Sequence, residues 1–477
     1  MQHSYTLQLA RDVEVREDAQ DILVAGPSGA ALRFKRPGSG FRTLIDSLAR
    51  GGMDRNTICD QAMGAVADDR GADVARLYFA LGEIERKGFV RYAVAQRGRA
   101  IATLEPVASA FRLEDIPLDR QFLLSRFACL RRVDDNTIVE SPLGHARVVI
   151  YDGCSVALLA LLALPHTAAE LAATMHDFDE TTVVAFIGLL ANAKAVFALA
   201  ENGRIAEDDS APLRQWEFHD LLFHSRGRLG RHNYPYGGTY RFLDVLPPLP
   251  AVRPPGRGRR IALNKPDMRA LEAGDVSFSR VTEARRSVRT HGEQPLSAAQ
   301  LGEFLYRAAR VKEVHPASRE LGSPYEASIR PCASGGAMHE LELYLTLSRC
   351  AGIEPGLYHY DPLEHELEHL ADLGPRQKRL LADARVSSGL DTPPDVLITL
   401  AARFQRVTWK YQSMAYAVIL KNTGALYQQM YLVATAMNLA PCGLGGGDSD
   451  LFAEAAGLDY YAETSVGEFM LSGHSPN

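Results

Sequence analysis

The chain predicts an α+β protein, on three observations: short alternating strands closed by Gly or Pro turns, apolar stripes at helical spacing between them, and one strand–helix–strand order that occurs twice near the N-terminus. At 477 residues it is long enough to bury several cores and to divide into two to four domains. The divisions expected are 1–110, 111–212, a wrapping or linking stretch over 213–270, and a last domain over 271–477.

Hydrophobic residues make up 46% and charged residues 23%, the balance of a folded chain rather than a disordered one. With 52 basic against 58 acidic side chains, net −6, no general electrostatic pull towards nucleic acid or an anionic membrane is expected. Six scattered cysteines without a CxxC pair argue against a disulfide framework or structural zinc, and fit a cytoplasmic protein. Residues 1–21 mix acidic side chains with no apolar core, so no secretory signal is expected. The longest apolar stretch, 183–200, is broken by Asn192 and Lys194 and reads as a buried helix, not a membrane span.

The first repeat opens with ILVAGPSGAALRF (22–34), a hairpin turned at Pro27, Ser28 and Gly29. A helix from about Phe41 stops at Gly51 and Gly52. Next, VARLYFALGEIERKGFV (74–90) places Leu77, Leu81 and Ile84 four and three residues apart, a helix ending at Gly88 before a strand. The second repeat has TIVESPLGHARVVIY (137–151), turned at Pro142, Leu143 and Gly144, followed by three apolar helical stretches. Hairpin, helices and a closing strand make a winged-helix-like plan. A DNA reader would need a basic recognition helix, and these carry few positive charges. Two readings stay open: peptide binding, by strand addition or in a groove between helices, and simple support of the C-terminal half.

After a short amphipathic helix from Gln215, the chain becomes rich in Gly, Pro and Tyr up to Arg260 and cannot remain helical. Tyr234, Tyr236, Tyr240 and Phe242 favour burial, so this stretch reads as a wrapping element over an active-site edge or dimer seam; a surface linker is the alternative.

Four features beyond it carry chemistry. In ARRSVRT (284–290), Arg285, Ser287 and Arg289 alternate, so an extended backbone projects them to one side. Two guanidiniums and a hydroxyl suit a phosphate monoester. The helix LSAAQLGEFLYRA that follows is capped by Ser297 and buries Leu301, Phe304, Leu305 and Ala308. Second, Ser334, Gly335 and Gly336 lie between a proline turn and the strand LELYLTL, where glycine lets backbone approach a flat ring; an ordinary turn is equally open. His359, His365 and His369 in the next hairpin lack metal-ligand spacing, and no metal is expected. Third, a strand over 395–404 leads past Lys410 and Tyr411 to a long helix from about Asn422 to Asn438, with Leu426, Met430, Val433 and Met437 as its buried stripe. Fourth, CGLGGGD (442–448) reads as a turn whose amides can meet the polar edge of a flavin. It lacks the GxGxxG spacing of a Rossmann site.

These residues resemble the nitroreductase-like flavoproteins from about Arg285 to Ser472, and within them the SagB-type azoline dehydrogenases that form thiazoles and oxazoles in ribosomal peptides. FHSRGRLGRHNYPYGGTYRFL and PLPAV share in the resemblance, and the N-terminal repeats resemble winged-helix peptide-binding units sometimes fused to such oxidases. The resemblance implies an FMN-dependent C-terminal domain preceded by tandem winged-helix-like domains. It implies FMN phosphate on Arg285, Ser287 and Arg289, the ring beside Ser334, Gly335 and Gly336, and amides of Gly445 and Gly446 near N5 and the pyrimidine edge. Lys410 and Tyr411 match the family's catalytic pair, and a homodimer with FMN at the subunit interface is implied. Two departures stand out: Cys332 is inserted and Glu340 replaces a usual proline. NTGALYQQM also lacks the common Asp-x-Gly-His start and Gln-Asn pair.

The implied reaction removes a proton from one azoline carbon and a hydride from the next. Free tyrosine, with a pKa of about 10, is a weak base at neutral pH, and a neighbouring ammonium favours its phenolate. Tyr411 is therefore read as base and Lys410 as electrostatic helper, with exchanged roles left open. The expected partners are a precursor peptide with a leader segment, a cyclodehydratase and a second copy of the chain. The alternatives are an FMN-dependent NAD(P)H nitro- or quinone reductase and a non-catalytic peptide-binding assembly subunit.

Overall fold

Both hairpins form: Asp21–Ala25 pairs antiparallel with Ala31–Phe34, and Asn136–Glu140 with Ala146–Ile150. The computed structural model describes residues 5–26, 30–54, 57–58, 60 and 70–473, so the expected turn at Pro27, Ser28 and Gly29 lies outside the described residues. The chain separates into two units, one ending at Tyr234 and the other starting at Pro235.

In the first unit, one antiparallel sheet runs through both repeats, in the order Met53–Asp54, Thr6–Leu9, Val90–Gln96, Arg99–Pro106, Ala146–Ile150, Asn136–Glu140, Cys129–Val133. Leu104 pairs with Val148 where the repeats join, and a single apolar core includes residues from Leu7 to Val196. A boundary near residue 110 therefore cuts a shared core. Leu77, Leu81 and Ile84 are all buried, as their spacing requires. Only the first part of the apolar stretch is helical: Glu180–Asn192, capped by the Asp179 side chain and buried on most sides, ends near Asn192 and Lys194, and Val196–Ala198 beyond it is a strand paired with Phe122–Leu124. Among the described residues no helix is long and apolar enough to cross a membrane.

The 213–270 stretch divides at the unit boundary. Its helix Phe218–Arg226 closes onto the first unit, where Arg226 meets the buried Glu140 at 2.8 Å. The Tyr234 hydroxyl donates to the same carboxylate at 3.1 Å. From Pro235 onward the chain belongs to the second unit.

The second unit is built on a seven-stranded antiparallel sheet in the order Arg260–Ala262, Glu366–Asp372, Gly356–Asp361, Leu341–Leu347, Val396–Arg403, Glu463–Gly473, Leu439–Leu444. Side chains alternate along Val396–Arg403 between two cores. Val396, Ile398, Leu400 and Ala402 face the helices Ala298–Ala309 and Ala415–Ala436; Leu397 and Ala401 face Pro375–Ser388 and Ser449–Ala456. Because both faces are covered, the strand reads as a continuous apolar run.

Ser297 caps the helix Ala298–Ala309 through a capping box with Gln300, and Leu301, Phe304, Leu305 and Ala308 are buried as predicted. Phe304 is fully buried, so Phe304→Ala should destabilise the second unit by ~3–5 kcal/mol in urea unfolding. A change near zero would show that this face does not pack.

Two boundaries differ from expectation. The long helix starts at Ala415, not near Asn422, and ends at Ala436. Cys442, Gly443 and Leu444 are not turn residues: they belong to the edge strand Leu439–Leu444, and the turn is confined to 445–447.

Candidate functional site

Arg285 ends the helix Phe278–Ala284, and the backbone beyond it is irregular. Val288 N–H donates to Pro441 C=O at 2.8 Å, which ties this segment to the start of the edge strand. Ser287 Oγ lies 2.8 Å from the Tyr431 hydroxyl, which also accepts the Gly443 amide at 2.7 Å. The Arg285 guanidinium sits 5.3 Å from the Tyr431 ring centre. Tyr431 thus joins Arg285 and Ser287 to the strand that leads directly into Gly445 and Gly446. Sequence reasoning gave Tyr431 no role beyond the long helix. Arg289 is exposed, as are Gly445 and Gly446, where a Cβ would meet no atom of the chain within 4 Å. The chain's own packing does not require glycine at those two positions.

A second group forms around Ser334, Gly335 and Gly336. Gly336, Ala337 and His339 all have positive φ (66°, 52° and 45°), and two of the three carry side chains. Backbone of this kind is costly and persists where surroundings over-determine it, typically at functional sites. Here Asn422 supplies the restraint. Its Oδ1 accepts the Gly335 amide at 2.9 Å, while Nδ2 donates to Ser334 Oγ at 3.1 Å and to Glu340 Oε1 at 2.9 Å. Ser334 Oγ also accepts the His339 amide at 3.0 Å. Burial pushes the fully enclosed Glu340 carboxyl above the ordinary range, against the hydrogen bonds from Asn422 and Ser334. Glu340, the departure noted in the sequence, therefore orients the amide that holds the turn.

Lys410 and Tyr411 close on this turn. A Cβ on Gly336 would fall 2.5 Å from the Tyr411 hydroxyl and 2.7 Å from Lys410 Nζ, so a side chain there would displace the ends of both, and its φ of 66° also favours glycine. The Lys410 ammonium lies 4.7, 5.0 and 5.7 Å from the ring centres of Tyr325, Tyr411 and Tyr240. It donates to the Tyr325 hydroxyl, which donates to the Gly336 carbonyl at 3.0 Å. Burial works to lower the lysine's pKa, but the hydrogen bond to Tyr325 and the neighbouring phenols outweigh it, and the net direction is upward.

The segment from Pro235 wraps this pair. Gly237 and Gly238 pair with Gln412 and Tyr411, and Tyr240 N–H donates to Lys410 C=O at 3.1 Å. Trp409 Nε1 donates to Leu246 C=O at 2.7 Å. The buried Arg406 donates to the carbonyls of Met338, Leu249 and Glu326, joining the glycine turn, the wrap and the Tyr325 segment. Tyr240 and Phe242 both pack against the second unit's core, and Tyr240 also lies beside the Lys410 ammonium.

The predicted residues thus gather into two groups rather than one. Asn422 and Tyr431, which anchor them, are nine residues apart on the long helix, and at about 100° per residue that turns them to opposite sides. His359 pairs with Glu342 at 2.9 Å, and His365 bonds Tyr360 and Asn264, which accounts for two of the histidines structurally. Among the described residues no three or more His, Cys, Asp or Glu side chains gather to hold a metal.

Residues 282–472 match the profile of the nitroreductase family, and residues 122–233 that of the cyanobactin oxidase ThcOx. The nitroreductase-type protein MJ1384 of Methanocaldococcus jannaschii is 27% identical over 188 residues, 39% of this chain and 85% of that protein. The microcin B17-processing protein McbC of Escherichia coli is 32% identical over 124 residues, 24% of this chain and 44% of its own length. The trifolitoxin-processing protein TfxB of Rhizobium leguminosarum bv. trifolii is 25% identical over 144 residues, 30% of this chain and 39% of its own. The match therefore spans less than half of either processing protein. Residues 282–472 of the second unit form a nitroreductase-like domain of mixed α and β content, and parts of the chain are similar to a cyanobactin oxidase and to two proteins named for peptide processing.

Proposed function

We propose that the chain is an FMN-dependent dehydrogenase that converts thiazoline or oxazoline rings in a ribosomally made precursor peptide into thiazoles or oxazoles. The observation that carries this reading is the Lys410–Tyr411 pair pressed against the strained Gly336 turn. A base and a fixed cation beside glycine backbone suit proton abstraction next to a flat cofactor.

The residues present fit FMN. Arg285, Ser287 and Arg289 offer two guanidiniums and a hydroxyl to a phosphate dianion. Ser334, Gly335 and Gly336 offer backbone with little side-chain bulk for a ring, and Gly445 and Gly446 offer a loop open to an outside group. Bound FMN supplies the hydride acceptor. Tyr411 takes the proton from the azoline carbon, and the Lys410 cation stabilises the charge that develops as it leaves. The azoline loses one proton and one hydride, two hydrogens in all, and becomes an azole.

Two groups on opposite sides of one helix support a homodimer in which one protomer's phosphate group serves its partner's ring-side group. Mixing a Lys410→Ala/Tyr411→Phe chain with an Arg285→Ala/Arg289→Ala chain is the test. Shared sites restore activity in the mixed dimers, because one of the two sites is then wholly intact. Sites built from one chain restore none.

The first unit carries the cyanobactin-oxidase match, and supports a role in holding the peptide leader, with a cyclodehydratase as the enzyme that makes the azoline beforehand. A cytoplasmic setting fits that role. Purified protein should show a flavin spectrum, and a heterocyclised peptide should lose the mass of two hydrogens per ring. Rapid NAD(P)H consumption without peptide would mark a nitro- or quinone reductase instead. Colourless protein unable to take up FMN would mark a non-catalytic assembly subunit.

A further inference from the structure

We propose that Tyr325 is a positioning residue of this site: it fixes the Lys410 ammonium against the Gly336 turn by accepting a hydrogen bond from Nζ and passing its own to the Gly336 carbonyl. The proposal rests on the reading of Lys410 and Tyr411 as the working pair. It adds a residue 85 positions away in sequence, on the segment leading into the strand Ala327–Ile329.

Three observations carry it. First, the relay Lys410 Nζ to Tyr325 Oη to Gly336 O, the last step 3.0 Å, orients both protons, since a lysine ammonium has only donors and a carbonyl only accepts. Tyr325 can satisfy both partners at once only with its hydroxyl proton aimed at the turn. Second, the Tyr325 ring is itself held. It is buried, stands edge-on to Trp409 with ring centres 6.3 Å apart, and lies tilted against Tyr240 at 6.5 Å. Third, Arg406 donates to the adjacent Glu326 carbonyl and to the Met338 carbonyl in the glycine turn, tying together the two backbone segments that the relay joins. A residue placed only to fill space needs none of this hydrogen-bond polarity.

The groups facing the Lys410 ammonium are the phenols of Tyr240, Tyr325 and Tyr411. The Arg406 guanidinium lies beyond them, 5.8 Å from the Tyr325 ring. With the hydrogen bond gone, burial acts on the lysine with less opposition and favours its neutral, nucleophilic amine. Lys410 then also loses its fixed direction. Holding the amine as a directed cation makes it an electrostatic helper and leaves proton removal to Tyr411.

The test uses the full chain without added flavin, so that its readout does not depend on turnover. Each variant is labelled briefly with acetic anhydride near pH 8, and acetylation at Lys410 is counted by peptide mass spectrometry against the other lysines. Tyr325→Phe, which keeps the ring, should raise Lys410 labelling about tenfold, the effect of one pH unit in the amine's titration. Tyr325→His restores an acceptor and should bring labelling back to within about threefold of the parent. Equal labelling of Lys410 in parent and Tyr325→Phe overturns the proposal, as does equal labelling of the Phe and His variants. Lys410→Ala, assayed separately for azole formation, tests the underlying reading. Full activity there removes the catalytic pair without touching the labelling result.

Discussion

Tyr411→Phe should lose azole formation by ~10²–10⁴-fold, the usual worth of a positioned general base, while keeping its flavin. The expectation follows from how little else the hydroxyl does. The tyrosine ring stays in place through its strand pairing with Gly238 and its packing on the second unit's core, both of which phenylalanine preserves. What disappears is the oxygen beside Gly336, which a Cβ on that glycine would meet at 2.5 Å. Lys410→Ala should fall by a similar factor for a different reason: three phenols then surround an empty position in place of a cation. The measurement is single-turnover loss of two hydrogens from a heterocyclised peptide, with flavin content read from the visible spectrum. If both variants turn over at the parent rate, the base and its helper are elsewhere.

Elements whose information is local were legible in the sequence. The helix Ala298–Ala309 has its cap and its apolar face within thirteen residues, and both appear as read, with a capping box to Gln300 besides. The start of the long helix was not. Its first two turns, AYAVILK, contain β-branched Val418 and Ile419, which packing against Gly335 and the core holds in a helix despite modest propensity. Cys442, Gly443 and Leu444 look like part of a glycine turn, yet they pair residue by residue with Met470, Phe469 and Glu468. Ladder hydrogen bonds, not side chains, make them a strand. The site follows the same division. Arg285, Ser287, Gly336, Lys410 and Tyr411 stand in short motifs, whereas Tyr325, Asn422 and Tyr431 act through partners 11 to 144 positions away, a relation no local spacing encodes.

Arg285→Ala combined with Arg289→Ala should weaken FMN retention by ~10²–10⁴-fold, because two charge-assisted hydrogen bonds worth ~1.5–3 kcal/mol each are removed and each 1.4 kcal/mol is about tenfold. The fold should survive, since Arg289 is exposed and Val288 keeps its backbone bond to Pro441. Ser287→Ala should cost less, about 1 kcal/mol, and its effect is partly indirect. The Tyr431 hydroxyl would keep the Gly443 amide but lose the serine that helps aim it. Graded loss, largest in the double arginine variant and smaller in Ser287→Ala, is the signature of an anion held by charge first and direction second. Equilibrium dialysis against FMN and against riboflavin separates the two contributions, because riboflavin lacks the phosphate: the arginine substitutions should leave its weak binding unchanged. If the double variant instead retains FMN as firmly as the parent, or loses both ligands equally, the two guanidiniums do not grip a phosphate and the cofactor assignment fails with them.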